Sequence, residues 1–358
     1  MSRASKSLLV TGAAGFIGTN FVHYWRRQHP QDSIVAFDAL TYAGNRSSIA
    51  DLEDSAQFTF VHADIRDYDT VLATLRTHDI DTIVHFAAES HVDRSISGPD
   101  AFIQTNVVGT HTLLQAAREH WLAGDAVAAH RFHHVSTDEV YGSLSADAPG
   151  FHEERKYEPN SPYSASKAAS DHLVRAYQHT YQLQVTTSNC SNNYGPWHYP
   201  EKLIPLCLTN ILRGRPLPVY GDGSNIRDWL YVEDHCRGIE LVLLKGKLGE
   251  TYNIGGNNEY SNLDIVHLLC ARLDARFAAD ASLAQRYPDA PPARGDSSSS
   301  LIEFVEDRAG HDWRYAIDAT KITRELGYAP RESFASGIEL TLDWYLANEH
   351  WWRPLLSA

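Results

Sequence analysis

Three glycines constrain how this chain must begin to fold. Gly12, Gly15 and Gly18 stand in the run Thr11-Gly12-Ala13-Ala14-Gly15-Phe16-Ile17-Gly18, directly after the apolar stretch Leu8-Leu9-Val10 and at the head of a helical pattern over residues 16–27. A strand that turns through a glycine-rich loop into a helix brings backbone N–H groups and the positive end of a helix dipole to one point, which suits a pyrophosphate. Gly12 is expected to permit the tight turn, Gly15 a close approach of the phosphates, and Gly18 tight packing of helix on strand. Phe16 and Ile17 belong to the same dinucleotide contact set.

The first half of the chain repeats this unit. Apolar runs at residues 33–37, 58–61, 82–86, 132–136 and 185–187 alternate with helical patterns at 68–77, 101–120 and 162–181. Such alternation predicts an α/β fold, a Rossmann-type doubly wound parallel sheet. Pro162 fits the first turn of its helix, where the missing N–H costs little. Beyond about Asn189 the pattern loosens into turn-rich segments, and a smaller α+β substrate-binding domain is expected. The division is residues 1–188 for the dinucleotide-binding domain, with a returning segment near 228–255, and 189–358 mainly for the substrate. Residues 280–300, rich in Ala, Asp, Pro and Ser, read as a surface loop or flexible insertion.

Composition narrows the class of partner. The net charge is -14 and no block of Lys and Arg stands out, which argues against nucleic acid and anionic membranes. The four cysteines, Cys190, Cys207, Cys236 and Cys270, have no Cys-x-x-Cys spacing, so reduced, buried thiols in a cytoplasmic protein are expected. The histidines show no metal-ligand spacing, and no metal is expected. The apolar run at residues 7–10 is too short for a signal-peptide core or a membrane span.

Asp38 follows the second strand, twenty residues after Gly18. A carboxylate there can accept from ribose hydroxyls and would repel a 2′-phosphate, so NAD is expected over NADP. Asp64 and Ile65 after the third strand are placed beside the adenine. Tyr163 and Lys167 are four apart on a helix and share a face. A neighbouring ammonium stabilises a phenolate, and Lys167 together with a positive nicotinamide ring is expected to lower Tyr163 toward neutrality. Tyr163 would then take a hydroxyl proton while hydride leaves the same carbon. A Tyr-x-x-x-Lys by itself is usually an exposed helix pair; the preceding dinucleotide signature favours chemistry. Thr137 can share a hydrogen bond at the same oxygen. Asp138 and Glu139 add two carboxyls at a strand end, where neighbours can project into different environments and hold different pKa values. Such a pair suits removal of a proton and loss of water next to a newly formed ketone.

These segments together resemble a known family. The glycine motif, Ala87-Ala88-Glu89-Ser90-His91-Val92-Asp93-Arg94-Ser95, Thr137-Asp138-Glu139-Val140-Tyr141-Gly142 and Tyr163-Ser164-Ala165-Ser166-Lys167 are similar to the extended short-chain dehydrogenases/reductases, and more closely to the dTDP-glucose 4,6-dehydratases among them. The likeness continues through residues 189–196, 220–229 and 307–315 and reaches Trp351-Trp352-Arg353-Pro354. It implies a redox-neutral cycle on bound NAD: Tyr163 takes the 4-hydroxyl proton as the C4 hydride leaves, Glu139 removes the C5 proton, Asp138 protonates the departing 6-hydroxyl, and hydride returns to C6. It places Leu40, Thr41, Ala87, Ala88, Ser90 and Thr105 at the cofactor. It places His91, Arg94, Thr137, Asn189, Lys202, Leu203, Tyr220, Arg227, Asn262, Arg308 and His311 around the nucleotide sugar, with Arg227 and Arg308 suited to a diphosphate. It also implies a homodimer, for which helices 101–120 and 162–181 are candidates. Ala309 stands where the family usually has Pro, and residues 280–300 align poorly. A 4-epimerase or decarboxylase of the same branch needs no acid–base pair for water loss. A non-catalytic dinucleotide-binding regulator could dispense with Tyr163, Lys167 and both carboxyls.

Overall fold

The computed structural model describes residues 5–123 and 129–356. The first half forms β1 (Ser7–Thr11), α1 (Phe16–Gln28), β2 (Ser33–Asp38), β3 (Phe58–His62), α2 (Tyr68–Thr77), β4 (Thr82–His85), α3 (Val92–Ser97), α4 (Pro99–Phe102), α5 (Thr110–Leu122), β5 (Arg131–Thr137), α6 (Pro162–Tyr181) and β6 (Val185–Cys190). The second half adds β7 (Asn192–Tyr194), α7 (Leu203–Leu212), β8 (Leu217–Tyr220), β9 (Ile226–Tyr231), α8 (Val232–Lys245), β10 (Thr251–Ile254), β11 (Glu259–Ser261), α9 (Asn262–Ala279), α10 (Ala281–Arg286), β12 (Ile302–Val305), α11 (Thr320–Leu326), α12 (Phe334–Ala347) and α13 (Glu349–Leu355).

Seven parallel strands in the order β10-β6-β5-β4-β1-β2-β3 make the central sheet. β1 and β2 are apolar on both faces because helices cover both, whereas β5 and β6 bury polar side chains such as His133, His134, Thr186 and Ser188. One face packs Phe21, Trp25, Ile239 and Tyr252 from α1, α8 and β10. The other packs Leu75, Leu113 and Val174 from α2, α5 and α6. A second core, with Leu208, Leu269, Leu342 and Trp352, lies among α7, α9, α12 and α13 beside a three-stranded sheet, β11-β9-β7, and the pair β12-β8. The chain crosses between the two bodies several times. β10 pairs with β6, and Ile322 and Leu326 of α11 join the first core.

Two expectations change. The helical pattern at 101–120 is not one α-helix, because Ile103–Gly109 is π-helical between α4 and α5. The Asn106 carbonyl accepts from the hydroxyls of Thr110 (2.5 Å) and Ser170 (2.6 Å), which compete with the helical ladder. Residues 280–300 are not a loose insertion. Leu283, Tyr287 and Ala290 sit in the second core, and the Asp274 carboxylate accepts from Ser297 Oγ (2.9 Å) and Ser298 N (3.1 Å). The four cysteines are buried and free. Among the described residues no helix is long and apolar enough to cross a membrane.

Candidate active site

β1 and β4 are neighbours from which the chain runs to opposite halves of the sheet, so their carboxyl ends leave a crevice at the topological switch point. Gly12, just past β1, has φ +67, and a Cβ there would lie 2.7 Å from Ala87 N across the crevice. A Cβ on Gly18 would meet the Gly12 carbonyl at 2.0 Å, so helix and turn touch only because both residues are glycine. Gly15 differs: a Cβ would meet only the Gly12 carbonyl, at 3.3 Å, while the residue lines the cavity. A side chain at Gly15 would therefore fill ligand space.

The cavity is about 520 Å³, within the size range of cofactor sites. Gly12, Gly15, Phe16, Ile17, Gly18, Asp38, Thr41, Asp64, Ile65, Ala87, Ala88, Ser90 and Thr105 all line it. Leu40 does not; it packs against the first core and contributes its backbone N–H, which donates to Asp38 Oδ1 at 2.8 Å. Asp38 Oδ2 accepts from Ala14 N at 2.9 Å, so this carboxylate also ties the glycine loop to β2. Burial pushes the Asp38 carboxyl up against the pull of these two N–H bonds. Each oxygen keeps further acceptor capacity. The donor-rich turn, the uncovered face at Gly15 and the acceptor at Asp38 fit a dinucleotide.

At the inner end the cavity meets Thr137, Asp138, Glu139, Tyr163 and Lys167. β5 ends at Thr137, whose hydroxyl caps a single 3₁₀ turn, Asp138–Tyr141, by accepting from Glu139 N at 3.3 Å. That turn separates the two acids. Asp138 is 1 % exposed, its Oδ2 has no partner, and burial, Glu139 and Asp228 push its carboxyl well above the ordinary range. Burial also raises Glu139, but Arg308, Arg227 and Lys202 oppose the rise. The surroundings thus favour the protonated form of Asp138, while three cations favour charge on Glu139 against its burial.

α6 brings Tyr163 and Lys167 to the same wall. Its start is fixed by Ser161, whose hydroxyl accepts from Ser164 N at 3.0 Å in a reciprocal cap. Lys167 is buried and donates from Nζ to the Val135 carbonyl at 2.8 Å. The expected lowering of Tyr163 does not arise within the protein itself. Burial and Glu139 push its phenol up, while the Thr137 hydroxyl draws it down.

Residues expected at the nucleotide sugar fall into three groups. Thr137, Lys202 and Leu203 line the cavity. Arg227, Arg308, His311 and Tyr220 form an adjoining cluster. Arg227 stacks over the Tyr315 ring at 4.2 Å and donates to the Asp312 carbonyl at 3.0 Å, whereas Arg308 Nε is buried without a partner. Tyr220 donates to Asp93 Oδ2 at 3.3 Å, and His311 pairs with Asp307 at 2.6 Å. The third group is occupied elsewhere. Arg94 lies over the Tyr42 ring at 3.8 Å and pairs with Glu201 at 3.2 Å, and His91 lies 3.8 Å from the same Glu201. Asn189 is buried in β6 and donates to the Tyr157 hydroxyl at 3.3 Å. Asn262 opens α9, its N–H on the Asn225 carbonyl at 3.0 Å.

Sequence reasoning missed Glu201, Tyr42, His198 and Trp229. Glu201 joins the loop after β4 to the loop before α7, and its adjacency to Lys202 was the available signal. His198 stacks on Phe16 at 4.0 Å, and Trp229 Nε1 is buried and unpartnered. Trp229 closes the segment 220–229 of the resemblance without a role assigned to it, and His198 has no local motif because its partner Phe16 is distant in sequence.

Comparison with known proteins agrees with this geometry. A family model described as GDP-mannose 4,6 dehydratase matches residues 9–341. A dTDP-glucose 4,6-dehydratase from Xanthomonas campestris pv. campestris (strain B100) is 54% identical over 352 residues, covering 98% of this chain and 96% of that relative. The dTDP-glucose 4,6-dehydratase 1 of Escherichia coli (strain K12) is 52% identical, covering 96% of this chain and 94% of its own. The crystal structure of DesIV, a dTDP-glucose 4,6-dehydratase from Streptomyces venezuelae with NAD and TYD bound, superposes with a TM-score of 0.85 at 48% identity, covering 98% of this chain and 99% of that one.

Proposed function

This chain belongs to the dTDP-glucose 4,6-dehydratase family, and from that membership we propose that it converts dTDP-glucose to dTDP-4-keto-6-deoxyglucose and water, using NAD. NAD, when bound, supplies a hydride acceptor at C4, a positive ring near Tyr163 and a hydride donor for C6. The protein supplies the proton transfers. Tyr163 takes the 4-hydroxyl proton, assisted by Thr137 and by the Lys167 ammonium. Oxidation at C4 acidifies the C5 proton, and Glu139 removes it. Asp138 in its protonated form delivers its proton to the departing 6-hydroxyl as water leaves, and Glu139 returns its proton to C5 as hydride reaches C6, leaving the Tyr163 proton to restore Asp138 through solvent. Lys202, Arg227 and Arg308 offset the charge of the diphosphate and of Glu139.

The observation that carries this reading is the placement of two adjacent acids and one phenol on a single cavity: burial raises both carboxyls, Asp138 pushed further up by Glu139 and Glu139 drawn back by three cations. An epimerase would need no such pair. Turnover of dTDP-glucose carrying deuterium at C4 is expected to yield product labelled at C6 within the same molecule. Loss of the label to solvent, or failure to form a keto sugar, would refute the assignment.

The reading extends to assembly and location. Ile103, Val108 and Tyr181 remain exposed on the π segment and the end of α6, which supports a homodimer built on these helices. Light scattering of the purified protein at twice the chain mass is the expected result. Four free, buried thiols support a reducing compartment, the cytoplasm.

A further inference from the structure

Behind Tyr163 and Lys167 lies a buried polar cluster that the reaction steps above do not use. Asp171, one turn beyond Lys167 on α6, is buried at 6 % exposure between that helix and β5. Its Oδ1 lies 3.0 Å from His134 Nε2, and its Oδ2 accepts from Ser136 Oγ at 2.8 Å. His134 and Ser136 flank Val135, whose carbonyl receives the Lys167 ammonium. Three consecutive residues of β5 are thus fastened to two positions of α6, one turn apart. Burial keeps His134 neutral, so its Nε2–H donates to the acceptor-only carboxylate. An ammonium removed from water needs a nearby counter-charge. Asp171, four residues along the same helix, is the carboxyl whose charge opposes the loss of the Lys167 proton that burial favours, and Cys190 at the end of β6 acts in the same sense.

We propose that Asp171 is a positioning residue for Lys167: anchored by His134 and Ser136, it is the buried counter-charge that keeps the Lys167 ammonium charged and in register with Tyr163. This rests on the catalytic roles given above to Tyr163 and Lys167. The ionisable groups around Asp171 are His134 from β5, Lys167 and His172 from α6, Tyr157 from the segment before α6, and Tyr141 from the turn after β5; Lys167 also faces Cys190 from β6 and His85 from β4. Burial pushes Asp171 up to about 6 against the pull of Lys167, which leaves it ionised at neutral pH.

The test uses the full chain with its cofactor and the variants D171N, K167M and D171N/K167M. Activity of D171N is expected to fall about tenfold at pH 8, and the alkaline limb of its pH–rate profile, set by loss of the Lys167 proton, to move about one unit lower. A folded D171N with the wild-type alkaline limb overturns the proposal. Thermal unfolding provides a readout independent of turnover. If Asp171 and Lys167 compensate one another, the double variant melts at a higher temperature than D171N alone, even if D171N alone fails to fold. A double variant no more stable than D171N makes Asp171 scaffolding for β5 and α6 and overturns the proposal. Absence of dehydratase activity in the wild type would instead refute the assigned reaction, while the stability comparison would still report on the pair.

Discussion

Single side chains show function taken at the expense of stability. Asp138 is buried with an unpartnered oxygen, and its folded-state pKa is raised. The stability it contributes is therefore fully present below its unfolded value of about 3.9 and is lost as pH rises through the raised folded value. Asp138→Asn should melt at a higher temperature than the wild type at pH 8, with the gap closing as pH falls toward 4, while losing elimination activity. Melting curves across that pH range check the sign. Glu139→Gln should retain the fold and lower turnover by about 10²-fold or more, with no solvent exchange at C5. Normal exchange in that variant would remove Glu139 as the base. The Thr-Asp-Glu triplet was legible in the sequence as two acids near a phenol. Their division of labour came only through the family resemblance, because its physical basis includes Arg227, Arg308 and Lys202, 60 or more residues away in the chain.

Secondary-structure elements were read best where local rules agree with packing. The helix 162–181 begins at a proline behind a serine cap, and the structure keeps those bounds. The segment 101–120 differs from one regular helix because helical periodicity does not register the Ser170 hydroxyl arriving from α6. Asn106 shows what the π segment achieves. Its side chain accepts from Glu89 N at 2.8 Å and donates to the Glu89 carbonyl at 3.0 Å and to Ser166 Oγ at 2.8 Å, joining the loop after β4 to α6. Asn106→Ala would leave buried partners unsatisfied, a cost of about 1–3 kcal/mol. It should also speed dissociation of NAD by loosening the wall at Ala87–Ser90, as measured by cofactor release. Residues 280–300 misled for the opposite reason: polar composition concealed Leu283, Tyr287 and Ala290, three apolar anchors spaced along the segment.

Across the whole molecule, two cores are held together by chain crossings and by the C-terminal helices. Trp351 Nε1 donates to Ser48 Oγ at 2.8 Å over a separation of 303 residues, and Trp352 is wholly buried in the second core. Trp352→Ala should cost about 3–5 kcal/mol in chemical denaturation. The loss should appear in substrate affinity before it appears in the glycine-rich turn, which stands on the other core. The sequence by itself determined the parallel sheet and the glycine-rich turn and singled out Thr137, Asp138, Glu139, Tyr163 and Lys167 as candidates, because each depends on periodicity, glycine sterics or spacing within a few residues. Only the tertiary structure decided which charges surround each acid, that Arg94 is held by Tyr42 and Glu201, and that Asp171 is anchored behind Lys167 by His134 and Ser136. Burial and charge at a point are sums over neighbours from distant parts of the chain, and no local pattern records them.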